Sequence, residues 1–410
     1  MKPATRVFII FSAGYFLSYL FRTVNAVLAP DLVAAFHLSA ADLGLMTALY
    51  FIGFAGMQPA LGILLDRFGP RRVQGVLLLV AAAGAILFAI AETRVALFQA
   101  RTLIGIGVSG CLMSALKGSV LWFPRGRLPL VNAGMLTAGG LGAVVAATPV
   151  TVLAQHTGWR GVFLVLALFT LALVAATWLA APEKVQTKSG ESVSSPLRGI
   201  GEVVRAPIFI RLAPAFAAAQ GGFLALHGLW AGAWLREAAG LDRLTVSYYQ
   251  VAMSITLTVG FLGSGVAADR LARRGVPPLT VAVAGMIGLA ALQTVIAASP
   301  PLETAWLWPV ASFVAAFVTV GFAVINQALP SELSARATTS LNLVMFTTAF
   351  ALQYGFGAAL ELWPQSAAGT HPIAAWRFAL SVLIFIQASS MLWFWLAGRI
   401  WQARLPARGD

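Results

Sequence analysis

Charged residues are scarce in this chain. Lys, Arg, Asp and Glu together make up 10% of its 410 residues, whereas they make up about 25% of a typical soluble domain. Hydrophobic residues account for 59%, and a water-soluble fold cannot bury that much apolar surface. The composition therefore excludes a soluble enzyme or a soluble binding module and predicts an integral membrane protein.

Cysteine, histidine and nucleotide-binding motifs are also rare. The lone Cys111 excludes an intrachain disulfide, and the 4 histidines do not cluster as metal ligands do. No glycine-rich phosphate-binding loop ending in Gly-Lys-Ser/Thr occurs. We therefore expect no metal, no cofactor and no enzymatic activity.

The apolar residues form runs long enough to cross a bilayer, which takes about 20 helical residues. Lipid offers no hydrogen-bond partners, so each run must satisfy its own backbone as an α-helix. The predicted fold class is an all-α polytopic membrane protein with twelve transmembrane helices. Their approximate bounds are 7–29, 43–65, 74–92, 96–121, 130–154, 160–181, 208–235, 248–268, 278–298, 304–328, 340–362 and 376–398.

The longest polar stretch divides the chain into two similar parts. It predicts a six-helix bundle over 1–181, a cytoplasmic inter-bundle loop over 182–207 and a second six-helix bundle over 208–410. Two landmarks occur at the same place in each part, which indicates an internal repeat of the kind that transporters use. They are Gly62, Asp66 and Arg67 against Gly265, Asp269 and Arg270, and Trp159-Arg160 against Trp376-Arg377.

The basic residues predict the orientation of the chain. If both termini are cytoplasmic, few cations fall outside, as the positive-inside rule requires: Arg94, Arg160, Arg236, Arg243 and Arg377. The inner segments then hold most of the others, among them Arg125, Lys184, Lys188 and Arg408. A net charge of +13 spread over many loops predicts no nucleic-acid partner. We expect a multi-pass protein of the inner or plasma membrane, in contact with lipid.

Two motifs resemble those of a known family. The segment Gly62-Ile-Leu-Leu-Asp66-Arg67-Phe-Gly69-Pro-Arg71-Arg72 is similar to the loop signature of the major facilitator superfamily, with Pro70 as a departure. Arg101-Thr-Leu-Ile-Gly105-Ile-Gly107 resembles the fourth-helix motif of that family. The resemblance covers almost the whole chain. It implies two pseudo-symmetric six-helix bundles, secondary transport and a monomer.

The loop signature also has a physical interpretation. An Asp at a helix end followed by Arg residues can form a charge-assisted cluster, which latches helix ends in one conformer and releases them in another. We therefore predict a gating role for Gly62, Asp66, Arg67, Gly69, Arg71, Arg72, Asp269 and Arg270. The alternative is that the Arg residues only fix the topology.

Two arginines lie inside predicted spans without a carboxylate near them. Counted from the outer end of each helix at about 1.5 Å per residue, Arg22 lies about 10 Å deep and Arg101 about 8 Å deep. A cation facing a cavity is neutralised by an anionic ligand, and intramembrane charges mark substrate paths. We therefore predict a small anionic substrate held by Arg22, Tyr15, Tyr19, Asn25, Arg101 and Trp230. Arg101 could instead bind a backbone carbonyl of the first helix.

The first span also resembles two branches of the superfamily. Tyr19-x-x-Arg22-x-x-Asn25 is similar to the anion:cation symporters and the organophosphate transporters, in which an Arg at this place binds the negative group of the substrate. Phe21 stands where those branches often have Asp.

His227 is the one histidine in the interior of a predicted span. Because histidine titrates near neutral pH, His227 is a candidate for proton coupling, although a hydrogen-bonded packing role would also suit it. Two other functions stay open. A proton-coupled efflux antiporter would need a titratable carboxylate in the first or fourth span, and a transporter-like membrane sensor would bind its ligand without flux.

Overall fold

The computed structural model describes residues 2–124, 127–183, 194–330, 333–366 and 369–404. Four of the basic residues named above lie outside these ranges, as does the part 184–193 of the predicted inter-bundle loop. They are Arg125, Lys184, Lys188 and Arg408. The described residues contain helices and turns but no strand. The all-α prediction is therefore confirmed.

Sixteen α-helices and one π-helix follow each other along the described residues. They are α1 (Pro3–Phe36), α2 (Ala40–Ala89), α3 (Arg94–Val108), α4 (Cys111–Trp122), α5 (Leu128–Val145), α6 (Thr148–Ala180), α7 (Ser194–Arg205), α8 (Pro207–Ala225), the π-helix Leu226–Trp230, α9 (Ala231–Glu237), α10 (Arg243–Ala272), α11 (Pro278–Ala298), α12 (Pro301–Thr304), α13 (Leu307–Val318), α14 (Val320–Ala328), α15 (Ser334–Leu360) and α16 (Ile373–Arg404).

Glycines with positive φ separate spans that otherwise run on as one helix. Gly69, at φ 77° and ψ 162°, divides α2 into the second and third spans. Gly158, at φ 65°, divides α6, so that the first part of α6 completes the fifth span and the rest is the sixth. L-residues with a side chain are disfavoured at such φ values, which explains glycine at both turns.

The twelve predicted spans agree with these helices. Ten helical segments of the described residues are long and apolar enough to cross a membrane, and three of them consist of consecutive helices: α3 and α4, α8 to α9, and α13 and α14. Leu130–Val145 is a shorter apolar helix within α5. Because Gly69 divides α2 in two, the total is twelve. The polypeptide is therefore a multi-pass membrane protein with the two-bundle fold.

Four spans have interruptions that the apolar runs did not reveal. The fourth breaks at Ser109-Gly110, between α3 and α4, and the tenth breaks at Thr319, between α13 and α14. The fifth breaks at Ala147, just before Pro149. The seventh changes to π-helical winding over Leu226–Trp230.

The two halves, α1–α6 and α8–α16, pack against each other along a central interface. The second span in α2 contacts α15, and α10 contacts α5 and α6. We call one end of the molecule the terminal end, because it contains the start of α1; the turn at Gly69 also lies there. The opposite end holds the turns after Phe36 and after Glu237.

Candidate substrate cavity

A cavity of about 330 Å³ lies at the interface between the two halves. Residues of both halves line it, from the first, second, fourth and fifth spans and from the seventh, eighth, tenth and eleventh. The polar side chains in its wall are Tyr15, Tyr19, Arg22, Gln58, Ser109, Gln220, Thr319, Thr338 and Asn342.

Helix breaks at matching places in the two halves reach this cavity. Ser109 interrupts the fourth span and Thr319 the tenth, and both line the wall. Their hydroxyls donate to carbonyls three residues earlier, Ile106 at 2.7 Å and Ala316 at 2.6 Å. Discontinuous helices are a recurrent way for transporters to expose polar groups at mid-membrane.

Arg22 is the cation of this cavity. Arg22 is 7% exposed, and its Nε has no hydrogen-bond partner. Its Cζ lies 4.5 Å from the ring centroid of Tyr19, 5.6 Å from that of Phe54 and 5.5 Å from that of Phe346. Throughout the described part of the chain, Arg22 forms no ion pair with a carboxylate. Aromatic faces stabilise such a guanidinium, but they leave its charge unneutralised.

Aromatic rings from the two halves close the cavity beyond Arg22. The ring centroids of Phe54 and Phe346 are 4.4 Å apart. Phe51 also stacks on Phe346, at 5.9 Å. This aromatic layer separates Arg22 from the opposite end of the molecule.

Tyr15, Tyr19 and Arg22, predicted on one face of the first span, do line the cavity. Asn25, Arg101 and Trp230, predicted with them, do not. Asn25 is fully buried one turn beyond Arg22, and both polar atoms of its amide lack a partner. Its position one turn deeper along α1 explains the difference from prediction.

Arg101 packs between helices instead of facing the cavity. Its Nη1 donates to the Phe21 carbonyl at 3.0 Å, and its Cζ lies 5.1 Å from the Tyr50 ring centroid. The structure thus shows the alternative contact with a first-helix carbonyl. Trp230 is held in the same way, because its Nε1 donates to the Gln353 carbonyl at 3.0 Å. Both side chains serve helix packing in this conformer.

His227 lies in the π-helix, outside the central cavity. It lines a small void with Thr23, Gln250 and Ser254, and its Nδ1 has no hydrogen-bond partner. One turn of π-helix often marks a functional site. Proton coupling by His227 stays a prediction.

The charges of the loop signature pair differently from the expected Asp–Arg cluster. Asp66 forms an ion pair with Lys117 of the fourth span. Glu183, just after the sixth span, pairs with Arg72 at 2.7 Å and with Arg71 at 3.4 Å. In this conformer a lysine from a neighbouring helix reaches Asp66, and the signature arginines do not. The gating role of these residues stays a prediction.

The remaining signature residues are exposed or contact their own helix. Arg67 lies over the ring of its neighbour Phe68, at 5.4 Å. In the second half, Asp269 pairs with Arg273 at 2.9 Å and not with Arg270. A Cβ placed on Gly62 or on Gly265 would meet nothing within 4 Å. Close helix approach at Gly62 is thus not realised at this end.

The opposite end is closed by contacts between the two halves. A Cβ on Gly357 would lie 2.4 Å from the Ala40 carbonyl oxygen, and one on Gly44 would lie 2.7 Å from that of Gln353. Asp31 and Arg243 form a bidentate ion pair, with distances of 2.6 Å and 3.1 Å. These contacts join α1 and α2 to α10 and α15, so the halves meet at this end, whereas Gly62 and Gly265 at the terminal end make no such close contact.

A two-bundle membrane protein with an interfacial cavity closed at one end has the architecture of an alternating-access transporter. The comparisons agree with this class. The sequence profile of the Major Facilitator Superfamily matches residues 11–358. The chain belongs to the Major Facilitator Superfamily, a family of transporters and not of enzymes.

Relatives and solved structures show the same relationship. The uncharacterized transporter YybO of Bacillus subtilis is 31% identical over 162 residues, 40% of this chain and 37% of that protein. The probable sulfoacetate transporter SauU of Cupriavidus necator is 26% identical over 279 residues, 63% of this chain and 64% of that protein. The chain thus spans less than two thirds of either relative.

A solved structure is similar over the whole chain. It is a bacterial homologue of the human lysosomal transporter Spinster in an inward-facing, unoccupied conformation, with a TM-score of 0.78 and 17% identity, covering 100% of both chains. At this identity the likeness concerns the fold alone.

Gln58, Ser109, Thr319 and Thr338 were not identified from the sequence as cavity residues. A polar side chain inside an apolar run was the available signal. Amides and hydroxyls in spans more often bind neighbouring helices, so that signal alone did not distinguish wall residues from packing residues.

Proposed function

We propose that this transporter moves a small organic anion across the membrane by alternating access, driven by an ion or solute gradient. One observation carries the proposal: Arg22 lines the central cavity, and no carboxylate of the described residues pairs with it. A guanidinium out of water costs several kcal/mol unless it is compensated, roughly 2.5–3.5 kcal/mol on insertion scales. An anionic guest would supply the compensation, and the planar guanidinium suits a carboxylate, phosphate or sulfonate.

The rest of the wall favours a guest that also donates hydrogen bonds. The Oε1 atoms of Gln58 and Gln220 are buried without a partner, one in each half. Hydroxyl groups of a guest could donate to both oxygens and so bridge the two halves. The cavity of about 330 Å³ is at the small end of ligand pockets. The similarity to a probable sulfoacetate transporter, named for an organic anion, supports this class.

We also propose that 1–181 and 208–410 move as two bodies about this cavity. Asp66, Arg71 and Arg72 would control closure of the terminal end. With both termini cytoplasmic, this conformer is inward-facing. Residues Tyr15, Tyr19 and Arg22 would hold the guest, while Asn25, Arg101 and Trp230 would act when the aromatic layer opens.

Substitution of Arg22 tests the anion proposal most directly. Arg22→Gln removes the charge, so we expect loss of most exchange of labelled organic anions in proteoliposomes. Arg22→Lys keeps the charge but not the fork, and we expect partial activity. The measurement is counterflow with carboxylates, sulfonates and phosphate esters, set against neutral sugars and organic cations. Preference of the wild type for neutral or cationic solutes would refute the proposal.

Coupling through His227 is tested separately. His227→Ala should abolish accumulation driven by a pH gradient and spare counterflow exchange, because only the former requires net proton movement. Full pH-driven accumulation in this variant would remove His227 from the mechanism.

The same proteoliposomes distinguish the proposed transporter from two other functions, an efflux antiporter and a membrane sensor. A proton-coupled efflux antiporter would normally carry a carboxylate in the cavity, and the lining residues include none. A membrane sensor would bind anions without flux. Ligand-induced thermal stabilisation combined with absent counterflow would favour the sensor over the transporter.

A further inference from the structure

A second cavity lies at the opposite end of the same interface. It has a volume of about 460 Å³. The end of α1 and the start of α2 form one wall, and α9, the end of α15 and the segment before α16 form the other. Trp230 lies in its floor and is stacked on Phe356, with centroids 5.2 Å apart. Trp230 and the aromatic layer thus separate this cavity, here called the vestibule, from Arg22.

Most charged groups around the vestibule are already paired. Glu237 accepts a hydrogen bond from the His371 backbone N at 3.1 Å, and its Oε2 lies 3.1 Å from His371 Nδ1. Arg243 is occupied by the bidentate contact with Asp31. Asp31 therefore neutralises Arg243, and hydrogen bonds from His371 hold the Glu237 carboxylate.

Arg236 is different. It lines the vestibule and is half-buried, and it has no ion-pair partner within the ranges that the structure covers. Its charge interacts at longer range with those of Glu237, Arg243 and Asp31. Hydrogen-bonding groups of Ser39, Gln365 and Thr370 lie in the same wall. A partly desolvated guanidinium beside donors and acceptors is the combination that binds carboxylates and related anions.

We propose that the vestibule is a second anion-binding site, in which Arg236 receives the cargo on the far side of the closed constriction from Arg22. This rests on the proposed function, which supplies the anionic cargo. A cation at a pore mouth raises the local concentration of anions and the rate of their entry.

The Asp31–Arg243 pair makes this site depend on the conformer. While the halves meet at this end, the Asp31 carboxylate occupies Arg243 much as an anionic ligand would. When the halves separate here, Arg243 loses this partner and remains on the C-terminal half with Arg236, whereas Asp31 moves with the N-terminal half. The wall of the vestibule that the C-terminal half forms then presents Arg243 as well as Arg236 in the conformer that can admit an anion.

The test compares transport from the two faces of the membrane. In Arg236→Gln, we expect the KM for entry from the vestibule face to rise about tenfold, within the range of electrostatic steering. The KM from the other face and the saturating rate should be unchanged. Intact cells and inside-out vesicles give the two faces, with a labelled organic acid that the wild type carries. Raised ionic strength should weaken entry from the vestibule face in the wild type and less so in Arg236→Gln.

Matched variants separate this site from the central one. Arg377→Gln removes the same charge at the same end from an exposed side chain outside the vestibule, and it should keep the wild-type KM. Arg236→Lys keeps the charge and should restore most of the affinity. Arg22→Gln should impair transport from both faces.

The outcomes are distinguishable. Equal KM values for Arg236→Gln and wild type on both faces would overturn the vestibule site and leave Arg22 standing. A loss of rate on both faces with unchanged KM would show a structural role for Arg236 and also overturn it. Insensitivity to Arg22→Gln would overturn the proposed function itself.

Discussion

The two ends of the molecule use their charges differently. At the terminal end, Asp66 pairs with Lys117 and Arg72 with Glu183, inside the N-terminal half, and Asp269 pairs with Arg273 inside the C-terminal half. At the opposite end, Asp31 crosses to Arg243. Glu361 likewise crosses to the Ala41 backbone N, at 2.8 Å.

The difference bears on the proposed motion of the two halves, because the contacts at both ends are individually weak. Ion pairs of exposed groups contribute roughly 0–1 kcal/mol each. The same few charges can therefore exchange partners between conformers without locking either one. In this conformer, ion pairs within one half satisfy the terminal charges, and ion pairs between the halves form where the halves meet.

The largest effect on transport is expected at Gly357, where a Cβ added to one half would lie closest to the backbone of the other half. In Gly357→Ala the new Cβ would lie 2.4 Å from the Ala40 carbonyl oxygen. Overpacking typically costs about 1–3 kcal/mol, enough to shift a conformational equilibrium roughly 5- to 150-fold away from closure of this end. The measurement is labelling of a cysteine introduced in the vestibule by an impermeant thiol reagent, together with the transport rate.

Gly355 provides the matched control for this variant. A Cβ on Gly355 would meet nothing within 4 Å, so Gly355→Ala should keep both labelling and transport. Equal behaviour of the two variants would show that the close contact at Gly357 does not hold this end shut.

Asp31→Asn should shift the conformational equilibrium less than Gly357→Ala does. The substitution removes the charge of Asp31 from its ion pair with Arg243, which joins the two halves. An effect of up to about 1 kcal/mol would change the conformational ratio roughly fivefold. Vestibule labelling should increase, and the double exchange of Asp31 to Arg and Arg243 to Asp should reverse the increase. Asp42→Asn breaks a pair of 2.9 Å with Arg94 inside one half, so it serves as the control. Equal labelling in both Asn variants would contradict the comparison of the two ends.

The smallest effect is expected from Asp66→Asn at the terminal end. In this conformer it loses only the pair with Lys117, so the protein should insert and remain folded. Transport should slow by a few-fold, because Asp66 would lack its charge when the halves close here. Asp66→Glu keeps the charge and serves as the control. Uptake by Asp66→Asn at the wild-type rate in proteoliposomes would refute the latch.

Much of the fold was readable from the sequence because the bilayer imposes length and apolarity on each span. The loop signature includes Gly69, and the positive φ of Gly69 explains why the turn between the second and third spans has a glycine. The partner of Asp66 was not readable, because Lys117 reaches it only through the packing of two helices. The breaks at Ser109 and Thr319 were hidden inside apolar runs, since one polar residue changes a hydropathy window very little.

The cavity was predictable in part for a related reason. Tyr15, Tyr19 and Arg22 share one helix face, and helix periodicity alone places them together. The depth at which that face becomes sealed depends on Phe54 and Phe346, which lie on different halves. Periodicity cannot supply that boundary, so Asn25 was assigned to the cavity although it lies beyond the aromatic layer.

The thinness of the aromatic layer has an electrical consequence. Where water reaches Arg22 from one face, most of the membrane voltage falls across the few rings beyond it. Moving that barrier to the other side of Arg22 carries one positive charge through the voltage, worth about 2.3 kcal/mol per 100 mV. If the cargo is a monovalent anion, as proposed, the loaded carrier moves no net charge. Voltage should then alter the return of the empty carrier and leave the loaded step nearly unchanged.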